Sequence, residues 1–513
     1  MGPCGRDRRG DRGRVELCGV LDPRLARAVT ARSALGWLGA LTLVRLLVAW
    51  RMPVTPDEAY YRVWSHALAG GYPDHPPMVA LWIAAGRWLA GDTALGIRLL
   101  GPLAVAAGSL LVVGAARDIM PTTTGGQGPV RAAALLNATL ALGVGGVVMT
   151  PDSPLLFFLC LALFALGRLL ATGRGAWWLL AGGAFGAAFE SKYTAVLPVA
   201  GVGVWLLACA RGRRWLVTPW VWLGGLAGAI VCVPVVLWNA RNDWVSFLRQ
   251  GGRVGVFKPE RAVQFLGELI GGQIGLATPL VFVLFVLGGI QLWRMARRDG
   301  GAALLAAMIG VPTAVFVFHA LGDRVQANWP VLIYPFLALP AGYAAAGSVG
   351  WARRLWRPAS VCGVAMAGAV YGQGLWSILP LSPHHDVVLR QTGGWPALAR
   401  SVEAARRPDE VVLADEYGLA SELALYGVSG VVAGPDPRWR TFALPHPAAT
   451  QALLVRSERR RDALPQGVGP GEDAGEIARV QAGKQIDRYR LYHVRIEADP
   501  ARGPLMSEIP AAR

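Results

Sequence analysis

The chain has 513 residues, of which 54% are hydrophobic and only 16% are charged. An ordinary soluble domain carries about 25% charged residues, so the composition excludes that class of protein. The formal net charge of +17 does not indicate a nucleic-acid partner, because the arginines lie at the ends of apolar runs rather than in one patch.

A basic lead, residues 1–32, opens the chain, and we expect it on the cytoplasmic side of a membrane. The apolar run that follows, 34–50, is longer than a typical signal-peptide core and lacks a small-residue cleavage site. It therefore predicts a first span that is retained in the mature protein.

Long apolar runs recur along the next 330 or so residues, many of them near the ~20 residues that a membrane-spanning helix needs. Barrel strands are shorter and alternate in polarity, so helices are predicted. The predicted fold class is an α-helical polytopic membrane protein with about eleven spans. They are 33–50, 94–116, 131–149, 153–171, 176–190, 193–210, 216–238, 271–293, 302–320, 328–348 and 358–379.

Loops rich in arginine alternate with loops poor in basic residues, as expected when the N-terminus is cytoplasmic. The segment 239–270 is an exception, because it places several basic residues on the predicted outer side. We keep this topology and interpret the exception as a need for positive charge outside.

The unusual polar and aromatic sequences all fall in predicted outer segments. An ionisable side chain at the edge of a span costs a few kcal/mol if it faces lipid, so it usually faces protein or a water-filled cavity. Their convergence on one side predicts a functional site there. The segments are 56–61, 72–77, 150–154, 190–193, 238–244 and 322–329.

The long apolar runs stop near residue 380. The chain after the basic lead therefore divides into two parts. The first is a membrane core, 33–380, with its first outer loop at 51–93, and the second is a small α/β domain, 381–513. An odd number of spans places this domain outside the cytoplasm. Its predicted strands are 409–415, 452–455 and 490–496, and its predicted helix is 416–426.

Residues 57–61 (DEAYY) and 72–78 (YPDHPPM) together resemble the bacterial branch of the protein O-mannosyltransferase and aminoarabinose-transferase superfamily. Residues 150–152 (TPD) and 190–193 (ESKY) fall where that family has its second acidic site and its lysine–tyrosine motif. The similarity extends from the first span to about residue 380.

The resemblance implies a GT-C glycosyltransferase with its active site on the extracytoplasmic face of the inner (plasma) membrane. Such an enzyme moves a hexose or pentose from a polyprenyl-phosphate donor to an envelope acceptor, which can be lipopolysaccharide or lipid A, another glycan, or protein. The lipid bilayer is its other partner, and nucleic acid is not.

Three carboxylates are the catalytic candidates. The resemblance favours Asp57 as the group that takes a proton from an incoming hydroxyl, with Glu58 orienting it or the acceptor and Asp152 near the acceptor. If the acceptor is a phosphate, it is already ionised and Asp57 positions it. The alternatives are a solvated pair at the interface and, for Asp152, a helix N-cap.

Lys192, Arg241 and Arg324 are the candidates for binding the donor phosphate, and we expect them in one positively charged pocket. The alternatives are a lysine that extends to the membrane surface and arginines that contact lipid headgroups.

Tyr60, Tyr61, His75, Tyr193 and Asn328 are candidates for substrate contact. The tyrosines of the first loop also fit an interfacial aromatic belt. His75 with Asp74 is too small a set for a zinc site, and the cysteines show no metal-ligand spacing, so no metal ligand is predicted. A divalent metal stays open, because some relatives bind one near this loop.

A transporter or flippase of a lipid-linked substrate is the alternative function. Such a protein is expected to have inverted repeats and polar residues near the middle of the membrane. Here the mid-span sequences are apolar, as at 281–287, and the polar groups cluster at one edge. This pattern favours the enzyme.

Overall fold

The computed structural model describes residues 23–120, 126–251, 258–347, 350–414, 416–433, 437–445, 449–460, 463–464, 467–496 and 507–511. Most of the predicted basic lead lies outside these residues. The helices that precede the C-terminal domain are α1 (Pro23–Arg51), α2 (Pro56–His66), α3 (Met78–Ala90), α4 (Ala94–Arg98), α5 (Leu100–Ile119), α6 (Gln127–Asn137), α7 (Leu140–Gly143), α8 (Asp152–Thr172), α9 (Trp177–Phe189), α10 (Val196–Ala208), α11 (Ala210–Arg213), α12 (Pro219–Val231), α13 (Val233–Arg241), α14 (Val245–Gly251), α15 (Ala262–Ala277), α16 (Pro279–Ala296), α17 (Gly300–Ala320), α18 (Tyr334–Ala346) and α19 (Gly350–Trp376).

Six helical stretches among the described residues are long and apolar enough to cross a membrane, and the bent pair α12–α13 makes up to seven. The chain is therefore a multi-pass membrane protein. The six are Arg32–Arg51, Ala94–Ile119, Asp152–Thr172, Pro279–Ala296, Gly300–Ala320 and Trp329–Ala346.

The predicted count of eleven spans is not confirmed. Helix α9 has 13 residues, or about 20 Å, which is short of the ~30 Å hydrocarbon core. The predicted span 131–149 is divided between α6 and α7, because the Thr139 side chain accepts a hydrogen bond from the Leu142 amide and starts a new helix there.

Helix α2 begins with a capping box. The Glu58 amide donates to the Thr55 hydroxyl, and the Thr55 amide donates to the Glu58 carboxylate at 3.0 Å. Pro56 occupies the first turn, where a missing N–H costs nothing. This arrangement fixes the start of α2. Asp57, which precedes Glu58, takes no part in the cap.

Glu58 is fully buried and forms a two-point ion pair with Arg98, with both N–O distances at 2.6 Å. It also accepts a hydrogen bond from the Met149 amide at 2.9 Å. The prediction of a catalytic role for Glu58 is contradicted by this geometry, since both carboxylate oxygens are occupied by protein donors and none faces a cavity.

The C-terminal domain contains the helices and strands α20 (Val387–Thr392), α21 (Trp395–Ala405), β1 (Val411–Ala414), α22 (Tyr417–Leu425), β2 (Val431–Ala433), β3 (Gln451–Ser457), β4 (Glu472–Gln481), β5 (Lys484–Arg495) and β6 (Ser507–Glu508). They form a six-stranded sheet of order β4-β5-β3-β1-β2-β6. Strand β1 pairs in parallel with β2 and β3, and the other pairs are antiparallel. The predicted strands at 409–415, 452–455 and 490–496 are confirmed, and strands β2, β4 and β6 were not predicted.

The C-terminal domain packs directly on the first outer loop. Tyr60 and Trp64 of α2 share a hydrophobic cluster with Leu419, Trp439 and Phe442 of the domain. The rings of Tyr60 and Trp439 meet edge to face, with centroids 5.5 Å apart. The C-terminal domain therefore covers one side of α2.

Replacing Glu58 with Ala should destabilise the protein by about 3–5 kcal/mol, because Arg98 is left as an uncompensated buried charge. Thermal unfolding of the purified protein in detergent measures the effect. Glu472→Ala is the matched control: Glu472 pairs with Arg407 on the solvent-exposed surface, so its loss should leave the melting temperature unchanged. Equal melting temperatures for both variants would contradict the structural role of Glu58.

Candidate active site

A cavity of about 600 Å³ lies between the membrane helices, the first outer loop and the C-terminal domain. Eight of the eleven side chains predicted for the site line it. They are Asp57, Tyr60, Tyr61, His75, Asp152, Lys192, Tyr193 and Asn328. The exceptions are Glu58, whose side chain is buried against Arg98, and the arginines Arg241 and Arg324.

Asp57 projects into this cavity from the first turn of α2. The Tyr417 hydroxyl, from the C-terminal domain, donates a hydrogen bond of 2.9 Å to its Oδ1 atom. Oδ2 has no hydrogen-bond partner within the described residues. Asp57 therefore presents one positioned carboxylate oxygen to the cavity and holds the other against the C-terminal domain.

The pKa of Asp57 is raised above the usual aspartate value, chiefly because the surrounding protein desolvates the carboxylate. The Tyr417 hydrogen bond and the positive charge of Arg438 lower this pKa, while the negative charges of Glu58 and Asp74 raise it. Asp57 is thus a stronger base than an aspartate in water.

Lys192, Asp152 and Asn328 form a second polar cluster in the cavity. The Lys192 ammonium lies 2.7 Å from Asp152 Oδ1, and the Asn328 amide donates to Oδ2 at 2.8 Å. Pro151 is the N-cap of α8, so Asp152 is its first helical residue rather than the cap. Lys192 is buried, with 8% of its side chain exposed, so it does not extend to the membrane surface.

Asp74 is the centre of a third polar cluster. From the sequence alone, Asp74 was considered only as a neighbour of His75. It accepts a hydrogen bond from the Tyr60 hydroxyl at 3.1 Å and pairs with Arg249 at 3.2 Å and with Arg438 at 3.4 Å. The Arg438 guanidinium also lies over the Tyr417 ring, 4.3 Å from its centroid.

The divalent metal left open by the resemblance does not fit these side chains. Asp74, the carboxylate beside His75, already faces two guanidinium groups, which disfavour a cation there. Among the described residues, no group of three His, Cys, Asp or Glu side chains is placed to hold a metal ion.

The expected pocket of three donor-binding cations does not form. Only Lys192 lines the cavity; Arg324 is 72% exposed and pairs with Glu268 at 2.8 Å, and Arg241 is exposed at the end of α13. The second cation in the cavity is Arg438. Nothing in the sequence marks Arg438 or Tyr417, because they lie in the C-terminal domain, more than 350 positions from Asp57.

One wall of the cavity is apolar. Val196 and Leu197 of α10 and Val315 and Phe316 of α17 line it, and both helices are apolar along their length. The charged clusters line the rest of the same cavity. The cavity can therefore accept an amphipathic molecule with its anionic group near Lys192 and its apolar part against α10 and α17.

The chain is similar in sequence to known membrane proteins. The family of dolichyl-phosphate-mannose-protein mannosyltransferases matches residues 74–238. The lipid A galacturonosyltransferase RgtD of Rhizobium johnstonii is 28% identical over 287 residues, or 54% of this chain and 58% of the relative. The alignment thus spans little more than half of that relative's length.

Two solved structures have the same fold. ArnT from Cupriavidus metallidurans bound to undecaprenyl phosphate superposes with a TM-score of 0.59 at 17% identity, covering 89% of this chain and 98% of ArnT. Its apo state gives a TM-score of 0.59 at 16% identity, covering 90% and 98%. The resemblance read from the sequence is confirmed, and the chain has a GT-C type fold with a small C-terminal sheet domain.

Replacing Asp74 with Asn should lower the pKa of Asp57, because one nearby negative charge is removed and Arg438 is released from it. Titration of the carboxyl stretch by infrared difference spectroscopy measures this pKa, and the Asp57→Asn variant identifies the band. Asp118→Asn is the control, since Asp118 pairs with Arg168 at the other end of α8. An unchanged or raised Asp57 pKa in Asp74→Asn would contradict the electrostatic coupling.

Proposed function

We propose that this protein is a membrane glycosyltransferase that moves a sugar from a polyprenyl-phosphate donor to an envelope acceptor. The observation that carries the proposal is one cavity in which a basic carboxylate, a buried ammonium and an apolar membrane-side wall meet. That combination matches a donor with a lipid tail, a phosphate and a sugar.

The comparisons support this class of reaction. RgtD acts on lipid A as a galacturonosyltransferase, and ArnT binds undecaprenyl phosphate. The acceptors that fit this protein are lipid A or lipopolysaccharide, another glycan, or protein, and the lipid A relative favours the first.

Asp57 is the proposed catalytic base. When the acceptor is a hydroxyl, its oxygen attacks the anomeric carbon, its proton passes to Asp57 Oδ2, and the donor phosphate leaves with the bonding electron pair. The phosphate leaves as an anion and needs no acid. If the acceptor is itself a phosphate, Asp57 positions the reacting oxygen instead.

Lys192 is the proposed donor-phosphate ligand. An ammonium has three N–H donors, so Lys192 can keep its contact with Asp152 and still donate to a phosphate. Asp152 and Asn328 hold this ammonium in place. Because the site is buried, the attraction to the phosphate and to the negative charge that develops on it is little screened.

The cavity and the C-terminal domain are proposed to lie outside the cytoplasm, in the inner membrane. Helix α8 starts at the cavity with Asp152 and runs for 21 residues, about 31 Å, to an end marked by Arg168 and Arg174. Basic residues mark the cytoplasmic side of short loops, so the cavity belongs on the opposite side.

A reporter that works only outside the cytoplasm should therefore be active when it is fused after Arg513, and a reporter that works only in the cytoplasm should be inactive there. Paired fusions to alkaline phosphatase and to green fluorescent protein test this, with a fusion placed after Arg174 as the cytoplasmic control. Fluorescence without phosphatase activity at Arg513 would contradict the proposed orientation.

Asp57→Asn should reduce transfer by about 10²–10⁴-fold with little change in stability, because the base is lost and the shape is kept. The assay uses purified protein, an undecaprenyl-phosphate-linked sugar and lipid A. Asp323→Asn is the control, since Asp323 lies in a nearby outer segment and does not line the cavity. Near-normal turnover in Asp57→Asn would remove Asp57 from the mechanism.

Lys192→Ala should weaken binding of undecaprenyl phosphate by about 10–100-fold, the loss expected for one charge-assisted hydrogen bond, and Lys192→Arg should retain part of the affinity. Arg324→Ala is the matched control and should bind normally, because its guanidinium pairs with Glu268. If Arg324→Ala weakened binding as much as Lys192→Ala did, the assignment of the phosphate site would be wrong.

A further inference from the structure

A second cavity, of about 760 Å³, adjoins the first on the side of the C-terminal domain. Asp57, Tyr417 and Arg438 line both cavities. The remaining wall of the second cavity comes mainly from the C-terminal domain, including Arg390 at the end of α20 and Arg479 on β4. Asp57 can therefore be approached from two directions.

We propose that this second cavity binds the water-facing headgroup of the acceptor, and that the headgroup is an anionic saccharide bearing a phosphate or a carboxylate. The proposal rests on the proposed function and deepens it, because it assigns a separate site and a charge to the second substrate.

The charge of the lining supports an anionic ligand. Four arginines face the cavity, against three carboxylates, one of which is Asp57 itself. The arginines are Arg390, Arg438, Arg460 and Arg479, and the other two carboxylates are Glu416 and Asp487. Guanidinium groups recognise phosphate and carboxylate through paired N–H donors, which makes arginine the suited residue for such a headgroup.

Arg479 is a fixed cation in this wall. Its side chain is buried and lies over the Trp395 ring, 4.0 Å from the centroid. Its Nη1 atom donates to the carbonyl oxygens of Arg390 at 3.1 Å and Gly393 at 2.8 Å, while its buried Nε atom has no partner in the described part of the chain. A guanidinium held in this way loses little conformational entropy when it binds an anion.

Arg390 is a more adaptable cation at the same wall. Its side chain is half-buried, and across the described ranges its guanidinium makes no hydrogen bond or ion pair. All five of its N–H donors are therefore available to a ligand in the cavity.

The second cavity is unsuited to the polyprenyl donor. It lacks the apolar wall of α10 and α17 that lines the first cavity, and its aliphatic lining is limited to Pro56 and Leu419. A lipid tail therefore belongs in the first cavity and a polar headgroup in the second. The acceptor oxygen and the anomeric carbon then meet at Asp57, the residue common to both.

The test compares Arg390→Glu with Arg400→Glu in the full-length protein. Arg400 is an exposed residue of α21 that does not line either cavity. We expect Arg390→Glu to raise the KM for the acceptor by about tenfold or more, because an attractive charge becomes repulsive, with the KM for the donor within about twofold of wild type. Arg400→Glu should leave both constants unchanged.

A binding experiment keeps this inference separate from the proposed function. Saturation-transfer NMR with glucosamine 6-phosphate, with glucuronate and with uncharged glucose as probes needs no catalysis. We expect signals for at least one anionic probe, none for glucose, and loss of that signal in Arg390→Glu but not in Arg400→Glu. The probe that binds identifies the phosphate or the carboxylate as the recognised group.

Two results would overturn the inference: no anionic probe binding to the wild-type protein, or equal binding by Arg390→Glu and Arg400→Glu. Failure of the wild-type protein to transfer any polyprenyl-phosphate-linked sugar, with anionic probes still bound at Arg390, would instead overturn the proposed function and leave the anion site standing.

Discussion

The buried ion pair between Glu58 and Arg98 connects the parts of the chain that build the first cavity. Arg98 donates to the main-chain carbonyl oxygens of Met52 and Pro53 just after α1, and it is the last residue of α4, just before α5. Glu58 closes the cap of α2 and accepts the amide of Met149, shortly before α8. Two side chains thus set the relative positions of four elements, and burial makes their separation costly. Asp57 and Asp152 occupy fixed places in the cavity as a consequence.

The sequence contained the signal that distinguishes Glu58 from Asp57. Thr55 with Glu58 three residues later is a capping-box pattern, in which the glutamate side chain is committed to the helix start. That pattern assigns Glu58 to structure and leaves Asp57 free to face the cavity. Asp152, Lys192 and Asn328 come from three of the polar motifs that the sequence led us to expect together, and all three line one cavity. Polar side chains at the ends of apolar spans avoid lipid, which brings such motifs together inside the protein.

Other features could not be predicted from the sequence, because they depend on distant contacts. Hydropathy does not show that Asn137, the last residue of α6 inside an apolar run, hydrogen-bonds to Arg45 and Ser109 of neighbouring helices. Arg324 was expected in the donor pocket, but it pairs with Glu268 instead, and that pairing is decided by tertiary packing. Conversely, a domain that shows only ordinary α/β patterning supplies Tyr417 to the site.

The position of Tyr417 gives the C-terminal domain a chemical role as well as a structural one. Its hydroxyl fixes one oxygen of Asp57, and its ring lies under the guanidinium of Arg438, which also faces Asp74. Asp57 therefore shares its cavity with Arg438 of the C-terminal domain and with the Lys192 ammonium of the membrane core. Under the proposed function, these two separate cations can each hold the anionic group of one substrate. A reaction that brings two anionic substrates together needs this separation of positive charge, because like charges placed side by side repel strongly in a partly desolvated cavity.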